Sequence, residues 1–140
     1  MKKKITIFGS TGSIGESTLD IIKHHPDKYE VVGLTANKNY KRLLEQVGLF
    51  KPKVISLSDN DSFKNFKNIN KYNVEVLNGD SSYDEILDYD TDLVIAAITG
   101  AIGLMPVVST LKKGISLALA NKESLVCSGI LVTKLAKKKN

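Results

Sequence analysis

Strand-like and helix-like hydrophobic patterns alternate along almost the whole chain. The strand-like stretches are short, rich in β-branched residues and mostly apolar rather than strictly alternating, the pattern of strands buried on both faces. The chain has 140 residues, about the length of one domain, with no internal repeat and no linker-like segment. Together these observations predict an α/β fold: a doubly wound, Rossmann-like, mostly parallel sheet with helices on both faces, formed by residues 1–140 as a single domain.

Ile5–Phe8 is the first strand. Ser13–His24 follows as a helix, with Ile14, Thr18, Ile21 and Ile22 assigned to its inward face and His25-Pro26-Asp27 ending it. Ser13-Ile14-Gly15-Glu16 at its start has the spacing of a capping box, in which hydroxyl and carboxylate satisfy free amides reciprocally. Val31–Ala36 is the second strand. Tyr40–Phe50 is the second helix, with Leu43, Leu44, Val47 and Phe50 inward, and Val54–Leu57 is the third strand. Ser58–Asn73, rich in Asp, Asn and Lys, reads as a surface loop carrying one docked helix around Phe63, Phe66 and Ile69. Val74–Leu77 is a further strand, Tyr83–Leu87 a short acidic helix, and Leu93–Ile98 a buried strand. Leu104–Lys112 is a helix, Ser116–Ala120 a strand, and a last helix begins near Lys122 with Leu125, Val126, Ile130 and Leu135 on its apolar side.

Composition excludes several classes of function. Hydrophobic residues make up 42% and charged residues 25%, which rules out wholesale disorder. The longest apolar runs, such as Leu93–Ile98, fall far short of the roughly 20 residues a bilayer requires. The apolar stretch after Lys2-Lys3-Lys4 stops at Gly9, too soon for a signal peptide, so a cytoplasmic location is expected. Cys127, the only cysteine, can form neither an internal disulfide nor a paired-cysteine metal site, and is expected to be a small core residue. The net charge is +5, but Arg42 is the only arginine, and specific nucleic-acid readers lean on arginine's bidentate contacts. No nucleic acid and no membrane is expected as a partner. The acidic run at 80–92, six carboxylates without a base, is expected to be a solvated helix and turn rather than a metal site. His24 and His25 fall at the C-terminal end of the first helix, where they complement its dipole.

Sheets of this class bind ligands at the carboxyl ends of their strands. That directs attention to Gly9–Gly15, Ala36–Asn39, Ala97–Gly103 and Ala120–Glu123. Gly9-Ser10-Thr11-Gly12-Ser13-Ile14-Gly15 joins the first strand to the first helix with G-x-x-G-x-x-G spacing. Gly9 suits the tight turn, Gly12 close approach of a pyrophosphate, and Gly15 helix–strand packing. The helix N-terminus behind them offers free amides to phosphate oxygens. No Gly-Lys-Ser/Thr follows, so this is no Walker loop. At the end of the second strand, Asn37-Lys38-Asn39 replaces the carboxylate that usually receives the ribose hydroxyls of NAD. Lys38 suits an adenosine 2′-phosphate, which points to NADP(H); Asn39 can also serve as the cap of the second helix.

Leu119-Ala120-Asn121-Lys122-Glu123-Ser124-Leu125-Val126 closes a strand and opens a helix, with a lysine opposing the helix dipole at the ligand edge. With the glycine loop, Ser17-Thr18-Leu19-Asp20, Ala36–Asn39 and Ala96–Gly103, this segment closely resembles the 1-deoxy-D-xylulose 5-phosphate reductoisomerase family, and the resemblance covers essentially the whole chain. It implies NADPH-dependent reductive isomerisation of that sugar phosphate to 2-C-methyl-D-erythritol 4-phosphate in non-mevalonate isoprenoid biosynthesis. It further implies that Thr11, Gly12, Ser13 and Ile14 bind the cofactor's phosphates and that Asn37, Lys38 and Asn39 surround its adenosine end. Asn121 and Glu123 match cofactor-contacting positions, and Lys122 matches a residue contacting the sugar phosphate. Position 37 is Asn where the family often has a smaller residue. A divalent metal, Mg²⁺ or Mn²⁺, and a homodimer are implied for the full enzyme. Family members continue to metal carboxylates and further domains that this sequence does not supply, so no catalytic or metal residue is assigned within it. The alternative is a stand-alone NADP(H)-binding module or redox sensor. A semialdehyde dehydrogenase fits less well, because it would need a nucleophilic cysteine in a loop and Cys127 falls in the last helix.

Overall fold

A computed structural model describes residues 2–79, 81–98 and 104–119. Six strands and five helices alternate among them. They are β1 (Lys3–Phe8), α1 (Ser13–Lys23), β2 (Tyr29–Ala36), α2 (Tyr40–Phe50), β3 (Val54–Leu57), α3 (Asn60–Ile69), β4 (Glu75–Asn78), α4 (Ser82–Ile86), β5 (Leu93–Ala96), α5 (Leu104–Lys112) and β6 (Ser116–Leu119). All five neighbouring strand pairs are parallel, in the order β4-β3-β2-β1-β5-β6. The order runs outward from β1 in one direction through β4, then restarts on its other side with β5. This reversal beside β1 opens a crevice at the carboxyl ends of β1 and β5.

The period-two pleat distributes the strands' side chains between two cores. Ile5 and Ile7 of β1 with Ile55 and Leu57 of β3 face one core, completed by Leu19 and Ile22 of α1, Leu43 and Val47 of α2 and Phe66 of α3. Phe8 and Val54 face the other, against Tyr83 and Ile86 of α4 and Leu87 just beyond it. Phe8 and Tyr83 meet edge to face there, with ring centroids 5.5 Å apart. Ala96 packs with Val107 and Leu111 of α5 beside this second core. The predicted doubly wound sheet is thus present, and every described strand pair in it is parallel.

Several local expectations are corrected. The buried face of α1 is Gly15, Leu19 and Ile22, whereas Ile21 is 59% exposed and Ile14 is exposed as well. The helix is rotated because the backbone of α1's first turn presses against the preceding loop, and only the face bearing Gly15 allows that approach. The segment after β3 carries a full helix, α3, rather than mainly a loop. Asp59 caps it, its Oδ2 accepting from the Ser62 amide at 3.0 Å and from the Ser62 hydroxyl at 2.8 Å. Phe66 is completely buried while Ile69 points largely to solvent. The acidic stretch is the expected solvated helix and turn, and its exposed acids also make contacts that the sequence did not show. Asp90 pairs with Lys4 at 2.5 Å, Asp88 with Lys113 at 2.5 Å, and the Asp92 carboxylate accepts from the Lys4 amide at 2.8 Å. The Lys4 pair holds the Asp90 carboxyl below its ordinary range. The last helix and Cys127 lie outside the described residues.

Truncating Phe66 measures how far α3 belongs to the core. Phe66→Ala is expected to cost about 3–5 kcal/mol in urea unfolding, the usual range for a buried phenylalanine. A loss below about 1 kcal/mol would show α3 to be peripheral.

Candidate functional site

The crevice beside β1 is a cleft of about 260 Å³. One wall is the glycine loop, through Gly9, Thr11, Gly12, Ser13 and Ile14. The other wall comes from the ends of β2, β3 and β5, through Thr35, Ala36, Asn37, Ser58, Ala97 and Ile98, with Tyr83 of α4 beneath.

The loop's path follows from its glycines. Gly9 has φ +84°, a left-handed conformation that side chains disfavour, and a Cβ there would fall 2.8 Å from the Ala97 carbonyl oxygen. Gly15 is the close-packing position: a Cβ there would lie 2.3 Å from the Gly9 oxygen and 2.6 Å from Ser10 Cα. Gly12 differs. Its backbone is extended at φ −79°, and a Cβ would meet only the Gly9 oxygen at 3.7 Å, leaving open space toward the cleft. β2 pins the loop from the side. The Gly9 amide donates to Thr35 Oγ1 at 3.0 Å, and the Ser10 amide to the Thr35 carbonyl at 2.9 Å.

The expected capping box does not form. Gly12, not Ser13, is the cap residue of α1, and no side chain caps the helix. Its first helical bond runs from the Glu16 amide to the Gly12 carbonyl at 2.9 Å, so the amides of Ser13, Ile14 and Gly15 have no intrahelical acceptor. Glu16 is instead drawn sideways to α2. Arg42 Nε donates to Glu16 Oε2 at 2.6 Å and Nη2 to Oε1 at 3.0 Å, and Gln46 Nε2 donates to Oε1 at 3.0 Å. The Arg42 hydrogen bonds hold the Glu16 carboxyl below its ordinary value of 4.5, and the same contact raises the guanidinium above its own. Arg42 Nη1 also meets Glu45 at 2.8 Å. The chain's single arginine is therefore committed to carboxylates. An 11-residue helix thus enters the cleft wall with uncapped amides, the arrangement that receives phosphate oxygens.

The residues after β2 that were expected at an adenosine end are placed less uniformly. Asn37 lines the cleft, its Oδ1 accepting from the Ser58 hydroxyl at 2.9 Å. Lys38 and Asn39 are exposed just beyond it and do not line the cleft. The Lys38 carbonyl accepts from Ser62 Oγ at 3.0 Å, and the lysine's charge contributes to depressing the Asp59 carboxyl, behind the larger effect of the Ser62 hydrogen bonds. Asn39 is the cap of α2 as expected, accepting from the Arg42 amide at 3.3 Å. Gly15 lies behind the loop, not in the cleft. Asn121, Lys122 and Glu123 fall outside the described residues, as do residues 99–103.

Ser58 and Tyr83 were not singled out by sequence. Ser58 had a usable signal, since it follows a predicted strand at its carboxyl end. Tyr83, in a segment marked only by its acids, had none. His24 and His25 stand at the far end of α1, where His24 Nδ1 lies 2.7 Å from the Asp20 carbonyl. Among the described residues no three His, Cys, Asp or Glu side chains converge as a metal site. No described helix is long and apolar enough to cross a membrane.

The reversed strand order, the glycine loop and the uncapped helix define a doubly wound domain of the dinucleotide-binding class. The chain belongs to the 1-deoxy-D-xylulose 5-phosphate reductoisomerase family, whose sequence model matches residues 5–129. The reductoisomerase of Thermoanaerobacter pseudethanolicus is 46% identical over 138 residues, covering 99% of this chain and 36% of that protein. The enzyme from Zymomonas mobilis, solved in complex with NADPH, matches with a TM-score of 0.93 at 35% identity, over 99% of this chain and 37% of that one. A DOX-P reductoisomerase solved with NADPH, fosmidomycin and magnesium matches with a TM-score of 0.92 at 39% identity, over 98% and 34% of the two chains. This chain thus spans little more than a third of the length of these relatives.

Gly15 and Gly12 separate a packing role from an open position at the cleft. Gly15→Ala is expected to lower the urea-unfolding free energy by about 1–3 kcal/mol or more, because the clash is with backbone. Gly12→Val is expected to remain folded, with stability close to that of the unaltered chain. Equal losses at the two positions would show that Gly12 is also a packing residue.

Proposed function

We propose that this chain is the NADPH-binding part of an enzyme that reductively isomerises 1-deoxy-D-xylulose 5-phosphate to 2-C-methyl-D-erythritol 4-phosphate. One observation carries the reading: an uncapped helix N-terminus opening into a cleft at the switch point of a doubly wound sheet, in a chain of this family. Gly9 and Gly15 set the loop, while the amides around Thr11, Gly12, Ser13 and Ile14 receive the pyrophosphate. Asn37, Lys38 and Asn39 surround the adenosine end. With Arg42 held by Glu16 and Glu45, Lys38 is the cation for the 2′-phosphate. Asn121 and Glu123 complete the cofactor site, and Lys122 contacts the sugar phosphate. NADPH, when bound, supplies the hydride. The chain's own part is to fix the dinucleotide at the loop and at its adenosine end, so that the nicotinamide is delivered to one place.

A divalent cation, Mg²⁺ or Mn²⁺, belongs to the whole enzyme, and the described residues offer no ligand set for it. A homodimeric, cytoplasmic enzyme completes the reading. Family membership over residues 5–129 favours this part of an enzyme over a stand-alone NADP(H) module or redox sensor.

NADPH is expected to bind more tightly than NADH. Lys38→Ala should narrow the gap by about 1.5–3 kcal/mol, roughly ten- to a hundredfold, for loss of a charge-assisted contact. Equal affinities for the two cofactors in the unaltered chain, measured by calorimetry, would overturn the assignment of Lys38. The 140 residues alone are expected to bind NADPH without oxidising it when 1-deoxy-D-xylulose 5-phosphate and Mg²⁺ are supplied. Loss of absorbance at 340 nm would reveal turnover, and robust turnover would place the whole catalytic apparatus within this chain.

A further inference from the structure

The glycine loop is also gripped from behind, on the side away from the cleft. Ser10 and Gln46 are both fully buried. Ser10 Oγ donates to Gln46 Oε1 at 2.8 Å, and Gln46 Nε2 donates back to the Ser10 carbonyl at 2.9 Å. The same Nε2 donates its other hydrogen to Glu16 Oε1 at 3.0 Å. Gln46 thus ties both the side chain and the backbone of one loop residue to the first turn of α1. One turn earlier on α2, Arg42 closes the other side of the Glu16 carboxylate with two hydrogen bonds.

A buried amide on a helix's inward face is costly unless its hydrogen bonds are made, and a leucine would fill similar space without that demand. Here the bonds go to the two elements that shape the phosphate end of the cleft. Neither Gln46 nor Ser10 lines the cleft, so neither is placed to touch a ligand there. What they join is the loop and the first turn of α1, whose free amides stand behind Gly12.

We propose that Gln46 is a positioning residue for the dinucleotide, acting through Ser10 and Glu16 to aim the uncapped amides of α1 at the pyrophosphate. This rests on the NADPH-binding role proposed above. The Glu16–Arg42 pair supplies the rigid end of the clamp, and Gln46 transmits it to the loop.

The test is a double-mutant cycle in the full chain with Gln46→Met, Ser10→Ala and the pair, reading NADPH affinity by calorimetry and stability by thermal unfolding. Methionine keeps the length of the glutamine and removes its hydrogen bonds. Each single variant is expected to weaken NADPH about tenfold or more. The double variant should lose little beyond the larger single loss, because both changes break the same contact. Wild-type NADPH affinity in a folded Gln46→Met chain overturns the proposal, even with a lowered melting temperature, since Gln46 would then be structural only. Losses that multiply in the double variant overturn it too. If Gln46→Met does not fold, Ser10→Ala decides alone: a tenfold loss supports the clamp and retained affinity overturns it. Absence of NADPH binding in the unaltered chain is the separate result that defeats the cofactor role itself, and this inference with it.

Discussion

The approach of α1 to the loop that precedes it is the constraint on which the rest of the site depends. At Gly15 the helix backbone and the Gly9–Ser10 backbone come so close that a single methyl group would stand 2.3 Å from a carbonyl oxygen. Because the contact is backbone on backbone, neither partner can yield by changing rotamer. It fixes the rotation of α1 about its axis, which puts Leu19 and Ile22 into the core and turns Ile21 outward. It also fixes where α1 begins, and so which amides are left without helical partners at the cleft.

Polar contacts then lock what packing has placed. Thr35 of β2 holds the Gly9 and Ser10 amides, and Gln46 of α2 holds the Ser10 side chain and carbonyl. Glu16, Arg42 and Gln46 tie the first turn of α1 to α2. Placing a carboxylate in the first turn of a helix also suits its dipole. Glu16 points toward α2 rather than back over the helix end, and the cap residue, Gly12, has no side chain to offer. The amides of Ser13, Ile14 and Gly15 therefore have no capping acceptor.

Charge is apportioned in the same way. The acids of residues 84–92 include Asp88 and Asp90, which neutralise Lys113 and Lys4, and Asp92, which accepts a backbone amide. Those pairs are exposed and contribute little to stability. They do tie the segment between α4 and β5 to β1 and to the end of α5. Meanwhile Arg42 is spent between two carboxylates, which leaves the first-turn amides of α1 as the positive groups among the described residues that line the cleft.

The sequence by itself determined the order of the described strands along the chain, the type of every described helix but not the extent of α3, and the location of the glycine loop. Local burial leaves a periodic trace, and a strand-to-helix turn that must pass close to its own helix requires glycine. α2, β3 and α5 begin and end where the pattern places them. Only the tertiary structure decided which way α1 faces, that Glu16 leaves its cap for Arg42, and that Ser58 and Tyr83 join the cleft. It alone brought Gln46 to Ser10 across 36 residues. Periodicity records whether a residue is buried but not against what, and a glutamine among inward leucines looks like a break in the pattern. Its meaning appears only when the strand order β3-β2-β1 sets α2 against α1, and the buried amide meets a buried serine.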